Sequence, residues 1–522
     1  MYKKSLILPV LASAVFLSAC DDGDDGNDGS DGLNSLVNTR ELPMGDADCP
    51  GGGLVFESGL DANRNGILDP DEVDNTTFLD CATAPQLRAL HASPDAPPVN
   101  ILVDGVPALT NVDYTQGSGF LPLEEDEYRI QVEAIVPGDD PIVIDETYDL
   151  EYRNDYNVVA IGNVADPIAA FLIVNPTTDV FEGNIRAQVL HAAPDAPPVD
   201  VYVTAPGADL PTSTPINDEP LAYQDYTGQI EVPAGTYQVR ATLAGDPGTV
   251  VYDSGAADLA AGTDLLIAAV ENTGPGATPI QLVALDGTGS AEIFDAATPA
   301  AVVAVHASPD APAVDILADD QSTAEDDAIT LASNVAFTEF CEIGAVPAPG
   351  DYTISVTVAG DPSSVALQFP LSVIQGDELT AIVTGFAAST PQIQALPLVN
   401  NTRSIVTESK LRITHGSPST GPVDIYLLPD GTDLNDPDVS PDFGAVPFTG
   451  DTGILAIAPA TYDVYVTPAG DKSVVAIEVQ DLGLVGGEVL DIIARDPQTD
   501  GSEGPLPQLV VIDQSAVAAC TT

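Results

Sequence analysis

Residues 61–72 read D-A-N-R-N-G-I-L-D-P-D-E, and no other stretch of the chain is so well furnished to hold a metal ion. Asp61, Asn63 and Asn65 offer side-chain oxygens at alternate positions. Gly66 permits a sharp turn, Ile67 offers its backbone carbonyl and Asp69 can act directly or through water. Glu72 can close the shell with both carboxylate oxygens. The pattern D-x-[DN]-x-[DN]-G-x5-E is met in full, which predicts a hard cation with oxygen ligands, calcium, at one structural site. The context is not that of a helix–loop–helix sensor: Gly51-Gly52-Gly53-Leu54-Val55-Phe56 before the loop is not helical, and Pro70 lies inside it. A single loop cannot form the paired sensor that opens a groove. The competing reading is a solvated acidic turn.

Histidine is the second candidate for chemistry. The four histidines are His91, His191, His306 and His415, and each opens the same motif. The copies read L-H-A-S-P-D-A-P-P-V-N, L-H-A-A-P-D-A-P-P-V-D, V-H-A-S-P-D-A-P-A-V-D and T-H-G-S-P-S-T-G-P-V-D. His with Asp four residues on (Asp95, Asp195, Asp310) invites a catalytic or metal reading. One His per copy cannot supply the several nitrogen or sulfur ligands of a zinc site. The fourth copy has Ser419 where the Asp would stand, and a shared reaction should not lose its acid. The motif is therefore read as structural, with the Asp capping backbone N–H groups of a turn. Asp433, Asp436 and Asp438, in a loop of the fourth copy, read as solvated surface.

The elements that position these residues are strands. A tyrosine follows each histidine (Tyr128, Tyr237, Tyr352, Tyr462), and a Gly-Asp turn follows each tyrosine, at Asp139, Asp246, Asp361 and Asp471. Tyr237, Val239, Ala241 and Leu243 alternate with polar neighbours, as do Tyr352, Ile354, Val356 and Val358. Period two predicts half-buried antiparallel strands. The tyrosines are expected in the core or at a corner, with the hydroxyl bonded to nearby backbone. The copies begin near residues 86, 185, 300 and 409, a period too long for a solenoid unit and right for a whole domain. The fold class expected is all-β, with tandem β-sandwich domains of about 100 residues and a small disulfide-stapled module before them. The divisions are 33–85 for the calcium-loop module, then 86–184, 185–299, 300–408 and 409–522 for the sandwiches.

Cys49 and Cys81 bracket the metal loop. Four cysteines allow three pairings; the most local is Cys49–Cys81, which leaves Cys341 with Cys520. Across all 522 residues, 80 Asp and Glu face 14 Lys and Arg, a formal charge of −66. That excludes a nucleic-acid binder, which needs a basic face against phosphate, and a polybasic membrane-surface protein. A hydrophobic fraction of 44% argues against disorder.

Residues 1–19 carry Lys3 and Lys4 and then an apolar run too short to span a bilayer, which reads as a signal peptide. The run ends in Leu17-Ser18-Ala19-Cys20, which resembles the lipobox of bacterial lipoproteins. The resemblance implies a diacylglycerol on Cys20, cleavage before it and an acylated amino terminus. No other stretch is long and apolar enough to span, so the membrane contact expected is the lipid alone. Residues 20–32 form an acidic, Gly-rich tether. Gly23, Gly26, Gly29 and Gly32 recur at the collagen period, but a flexible spacer is the simpler reading. The acids after Cys20 resemble an inner-membrane retention signal of enteric bacteria and equally a surface-export signal of other groups. The location expected is the bacterial cell envelope, with the outer membrane or cell surface favoured.

The core H-A-S-P-D-A-P-x-V-D followed by P-A-G-x-Y-x-V-x-V resembles the bacterial family catalogued as domain of unknown function 4397. The resemblance covers roughly residues 86–520 and implies transthyretin- or immunoglobulin-like sandwiches in exported proteins, with no activity attached. Residues 32–82 resemble, more weakly, a short module that follows collagen-like tethers in other envelope proteins, with an EF-hand-like loop. Together these features predict a non-enzymatic, lipid-anchored envelope protein that displays rigid sandwiches to a protein or matrix partner. The alternatives are a carbohydrate-binding array, which the absence of Trp disfavours, and a hydrolase built on carboxylate pairs.

Overall fold

The computed structural model describes residues 32–44, 46, 48–49, 51–79, 83–166, 168–321, 328–346 and 350–522. The expected signal peptide, Cys20, nearly all of the tether and Cys81 lie outside the described residues. The chain divides into two compact units, residues 1–82 and 83–522. In the first, Ser35–Met44, Gly51–Leu60 and Val73–Leu79 form an antiparallel three-stranded sheet, with a single 3-10 turn at Pro70–Glu72.

The described residues of the second unit form eight sheets in four face-to-face pairs. The third pair is representative. One sheet has the order Phe340–Val346, Ala300–His306, Glu378–Thr384, Gln394–Val399, and the other Ile329–Val335, Val314–Asp320, Gly350–Val358, Asp361–Val373. Tyr352, Ile354 and Val356 point into the space between them, as the period-two pattern requires. The hydroxyls of Tyr237 and Tyr462 donate to the carbonyls four residues earlier, Pro233 at 2.7 Å and Ala458 at 3.0 Å. No described helix is long and apolar enough to cross a membrane.

Two expectations need correction. Antiparallel pairing holds for the tyrosine strands but not throughout. Each histidine strand runs parallel to one of its two neighbours: Gln86–His91 with Asn154–Ile161, Asn184–His191 with Asp264–Glu271, Ala300–His306 with Glu378–Thr384, and Ser409–His415 with Val489–Arg495. These histidine strands are also buried on both faces rather than one. Continuous apolar runs such as Ala300-Ala301-Val302-Val303-Ala304-Val305 are what a doubly covered strand requires.

The second face is covered by another sandwich. Leu90, Val159, Ile161 and Ile173 of the first pack against Leu190, Leu266, Val283 and Leu285 of the second. Val303, Ile382 and Leu398 of the third pack against Ile493, Val510 and Ile512 of the fourth. Each such Leu or Ile removed from water contributes about 1.5–3 kcal/mol. Polar groups lock the same faces: Arg88 Nη1 donates to the Leu285 carbonyl at 3.0 Å, and Thr384 Oγ1 donates to the Gly416 carbonyl at 2.7 Å. At these sheets the outer faces are thus apolar interfaces between sandwiches. Bases are drawn inward with them. Of the twelve Lys and Arg residues described, seven are buried: Arg88, Arg186, Arg240, Arg403, Lys410, Arg412 and Arg495.

Candidate functional site

The four histidine rings are all buried, and each closes the loop that it opens. Nε2 lies 3.0 Å from the Pro97 carbonyl in His91, 3.2 Å from Pro197 in His191, 3.0 Å from Pro312 in His306 and 3.0 Å from Gly421 in His415. A carbonyl only accepts, so Nε2 carries the proton. On the other side Nδ1 accepts from the N–H of Ser93, Ser308 and Ser417 in the first, third and fourth copies. That leaves these rings neutral, with no lone pair for a metal or for proton abstraction. His191 Nδ1 has no hydrogen-bond partner among the described residues. Burial lowers the pKa of all four, that of His91 to about 4.

The Asp of the motif does not cap its own turn. In the first and third copies it reaches across to the loop after the parallel partner strand, whereas Asp195 Oδ2 accepts from the Asn163 side chain of the first sandwich at 3.4 Å. Asp95 accepts from the Val164 N–H at 2.8 Å, and Asp310 from those of Ala387 and Ala388 at 2.7 and 3.1 Å. In these copies Ser93 and Ser308 donate to the carbonyls of Gly162 and Gly385. The fourth copy reverses the roles. Asp496 stands at the position of Gly162 and Gly385, and its carboxylate accepts from the Ser419 N–H at 2.9 Å, from Ser419 Oγ at 2.8 Å and from Ser417 Oγ. The loss of Asp at 419 is therefore compensated from the opposite loop. The second copy has an acid on both loops: Glu271 Oε1 accepts from the Asp195 N–H at 2.9 Å, and burial, with Asp195 nearby, raises the Glu271 pKa.

The last motif residue acts similarly. Asp315 accepts from the N–H groups of Asn334 and Gly360, both at 2.8 Å, and Asp424 from those of Ala445 and Gly470, both at 2.7 Å. The glycine is the one in the Gly-Asp signal, so the first and third sequence signals meet in space. One repeated element escaped the sequence reading. An aromatic residue followed by a residue with positive φ lies beside each histidine: Tyr114-Thr115, Tyr223-Gln224, Phe337-Thr338 and Phe448-Thr449. The second residue of each pair, with φ of 68–73°, donates its N–H to the carbonyl of the histidine. The Tyr/Phe-Thr dipeptide was the available signal. Its varying distance from the histidine hid it.

In the loop 61–72, Asp61 is 2% exposed and Glu72 8%. Asp61 accepts from the N–H groups of Asn65 and Gly66, both at 2.9 Å. Glu72 Oε1 accepts from Ala62 and Asn63 N–H at 2.9 and 3.0 Å, and Oε2 from Asp69 N–H at 3.2 Å. The Asn63 and Asn65 amides both lie against Asp69 Oδ2, at 2.7 and 2.8 Å. Asn65 Oδ1 accepts from the N–H of Ile67 at 2.7 Å. A Cβ at Gly59 would stand 1.7 Å from the Glu72 carbonyl oxygen, so only glycine lets the two strands close behind the carboxylate. The flanking elements are strands, in keeping with the non-helical entry expected.

Cys341 and Cys520 are disulfide-bonded, tying the chain end to the third sandwich. Cys49 is buried; its expected partner Cys81 is not described. Among the described residues one acidic group, Asp430, Asp463 and Asp481, has carboxylate oxygens within 4.8 Å of one another. Asp433 and Asp436, singled out in the sequence, instead accept from backbone N–H groups two residues on.

Residues 85–202 and 300–426 match the family described as Domain of unknown function (DUF4397), and residues 34–80 match Domain of unknown function (DUF7151). No curated protein matches the chain.

Proposed function

We propose that the chain, which matches the DUF4397 family over residues 85–202 and 300–426, is a non-enzymatic envelope protein, held by a lipid on Cys20, that displays a rigid block of sandwiches to a protein or matrix partner. The observation that carries the reading is the fate of the repeated polar residues. In the first and third copies His, Ser and Asp of the motif are engaged with backbone groups of the fold, and in the fourth Ser419 is compensated by Asp496; the second copy departs, with Ala193 in place of Ser and Asp195 bonded to the Asn163 side chain. A motif kept for a reaction would leave a ring nitrogen or a carboxylate facing solvent or a cleft. The buried bases also support display: they leave an exposed surface dominated by carboxylates, which favours solvation over self-association.

The test has two arms. In the native host, Cys20→Ser should move the protein from the membrane fraction to the soluble fraction, and protease added to intact cells should reach the wild type. Membrane retention of the variant refutes the anchor. Turnover of any member of a glycoside, ester and peptide panel, lost in His91→Gln or Asp95→Asn, refutes the non-enzymatic reading.

A further inference from the structure

We propose that the loop between Gly51–Leu60 and Val73–Leu79 binds one Ca²⁺ and that the ion acts as a permanent brace of a β-hairpin. The site is independent of the display role. Two observations converge on it. The first is the sequence: oxygen-bearing side chains stand at 61, 63, 65, 69 and 72, with glycine at 66, the pattern a calcium loop needs along its full length. The second is that the fold holds two of the carboxylates, Asp61 and Glu72, almost wholly out of water from opposite ends of the loop. Hydrogen bonds link the remaining members in pairs. The Asn65 N–H lies 2.9 Å from both Asp61 Oδ1 and Asn63 Oδ1, and Asp69 Oδ2 contacts both amides.

The donor set selects the metal. It offers carboxylate, amide and backbone carbonyl oxygen and no nitrogen or sulfur ligand, which suits Ca²⁺ and disfavours zinc or copper. Loops of this kind take the ion flexibly, at six to eight oxygens, where Mg²⁺ demands a tighter octahedron. The flanking elements decide what binding does. Gly59 pairs with Val73 and Ser58 with Asn75, so the ladder begins at the loop itself. There is no interhelical angle to change. The ion ties position 61 to position 72 and stiffens the turn without rearranging it.

The experiment uses the full chain, stripped with chelator and titrated with CaCl₂ in a calorimeter. One binding event is expected, at least tenfold weaker for Asn63→Ala, whose residue is exposed, and for Asp69→Ala, whose residue is half-buried, and unchanged for Asp71→Asn, which the pattern leaves outside the ligand set. MgCl₂ should compete poorly. Far-UV circular dichroism should not change on binding, while thermal unfolding should show a transition moved upward by Ca²⁺. Absence of Ca²⁺ heat, equal affinity in wild type and both ligand variants, or a large change in secondary structure on binding would each overturn the proposal. Glu72→Gln, checked by circular dichroism for folding, gives a further arm: full-strength Ca²⁺ binding in a folded E72Q chain also overturns it.

Discussion

Nε2 of His306 lies 3.0 Å from the carbonyl oxygen of Pro312, six residues downstream, and the same clasp recurs at the other three histidines. A proton added to such a ring goes to Nδ1, where in three copies a backbone N–H already points. The folded rings therefore resist protonation, and their pKa values fall below the ordinary 6.5. The unfolded chain then binds more protons than the folded one as pH falls below about 6.5, so the clasps contribute in full above that value and less below it. For His91 the window reaches down to about 4, and the loss at pH 4.5 is about 3 kcal/mol. Thermal unfolding followed from pH 7 to 4.5 should show a falling midpoint, with a shallower slope in His91→Gln. An unchanged slope in that variant would falsify the assignment.

Arg403, from the segment joining the third and fourth sandwiches, grips the first. Nη1 donates to the carbonyls of Pro94 and Ala96 at 3.1 and 2.7 Å, and Nη2 pairs with Asp113. Removing one partner of a buried pair typically costs about 3–5 kcal/mol. Arg403→Met should destabilise residues 83–522 by that order, read by denaturant unfolding. Since Asp113 is partly exposed, Asp113→Asn should cost less, and the double variant should cost less than the sum of the two.

The exchanged acid at 496 makes a sharp comparison possible. Asp496→Ala leaves the Ser419 N–H and two hydroxyls without their acceptor, and a loss of roughly 2–3 kcal/mol is expected. Glu271→Ala removes an acceptor with a single donor on the corresponding loop and should cost distinctly less. Equal losses in calorimetric unfolding would mean that the two acids are not counterparts.

The Cys341–Cys520 bond closes a loop with a sequence separation of 179 residues. By chain entropy alone such a loop contributes at most about 5 kcal/mol. The tail also pairs through backbone: Cys520 N–H to Glu342 O, Glu342 N–H to Ala518 O and Ser333 N–H to Thr521 O, all at 2.8 Å. Cys520→Ser should lower stability and accelerate amide exchange at residues 333 and 342 first. If exchange there is no faster than in the wild type, the tail is held by its ladder alone.

The sequence was most readable where a single face is buried. Tyr352, Ile354 and Val356 alternate with polar residues because water covers one side of their strand, and period two then reports the core directly. The histidine strands gave no such contrast. Leu90 and Ala89 are both apolar, yet Ala89 faces its own sandwich and Leu90 faces the next. A run of apolar residues states that both faces are covered and says nothing of what covers them. Parallel pairing was illegible for the same reason. The acid roles were misplaced by one loop, since Asp95 and Val164 are 69 residues apart and no local pattern joins them. The 61–72 pattern could be read at all because its oxygen-bearing residues fall within twelve consecutive positions.

The inward placement of the bases has a consequence for survival among proteases. Enzymes that cut after Lys or Arg need that residue in an accessible, locally unfolded stretch. In residues 83–522 only Arg129, Arg153 and Lys472 escape burial, and Arg129 lies within the paired strand Asp126–Ala134. Trypsin should therefore find two ready sites, the turns at Arg153 and Lys472, in a body of 440 residues, and leave long fragments that only unfolding makes digestible.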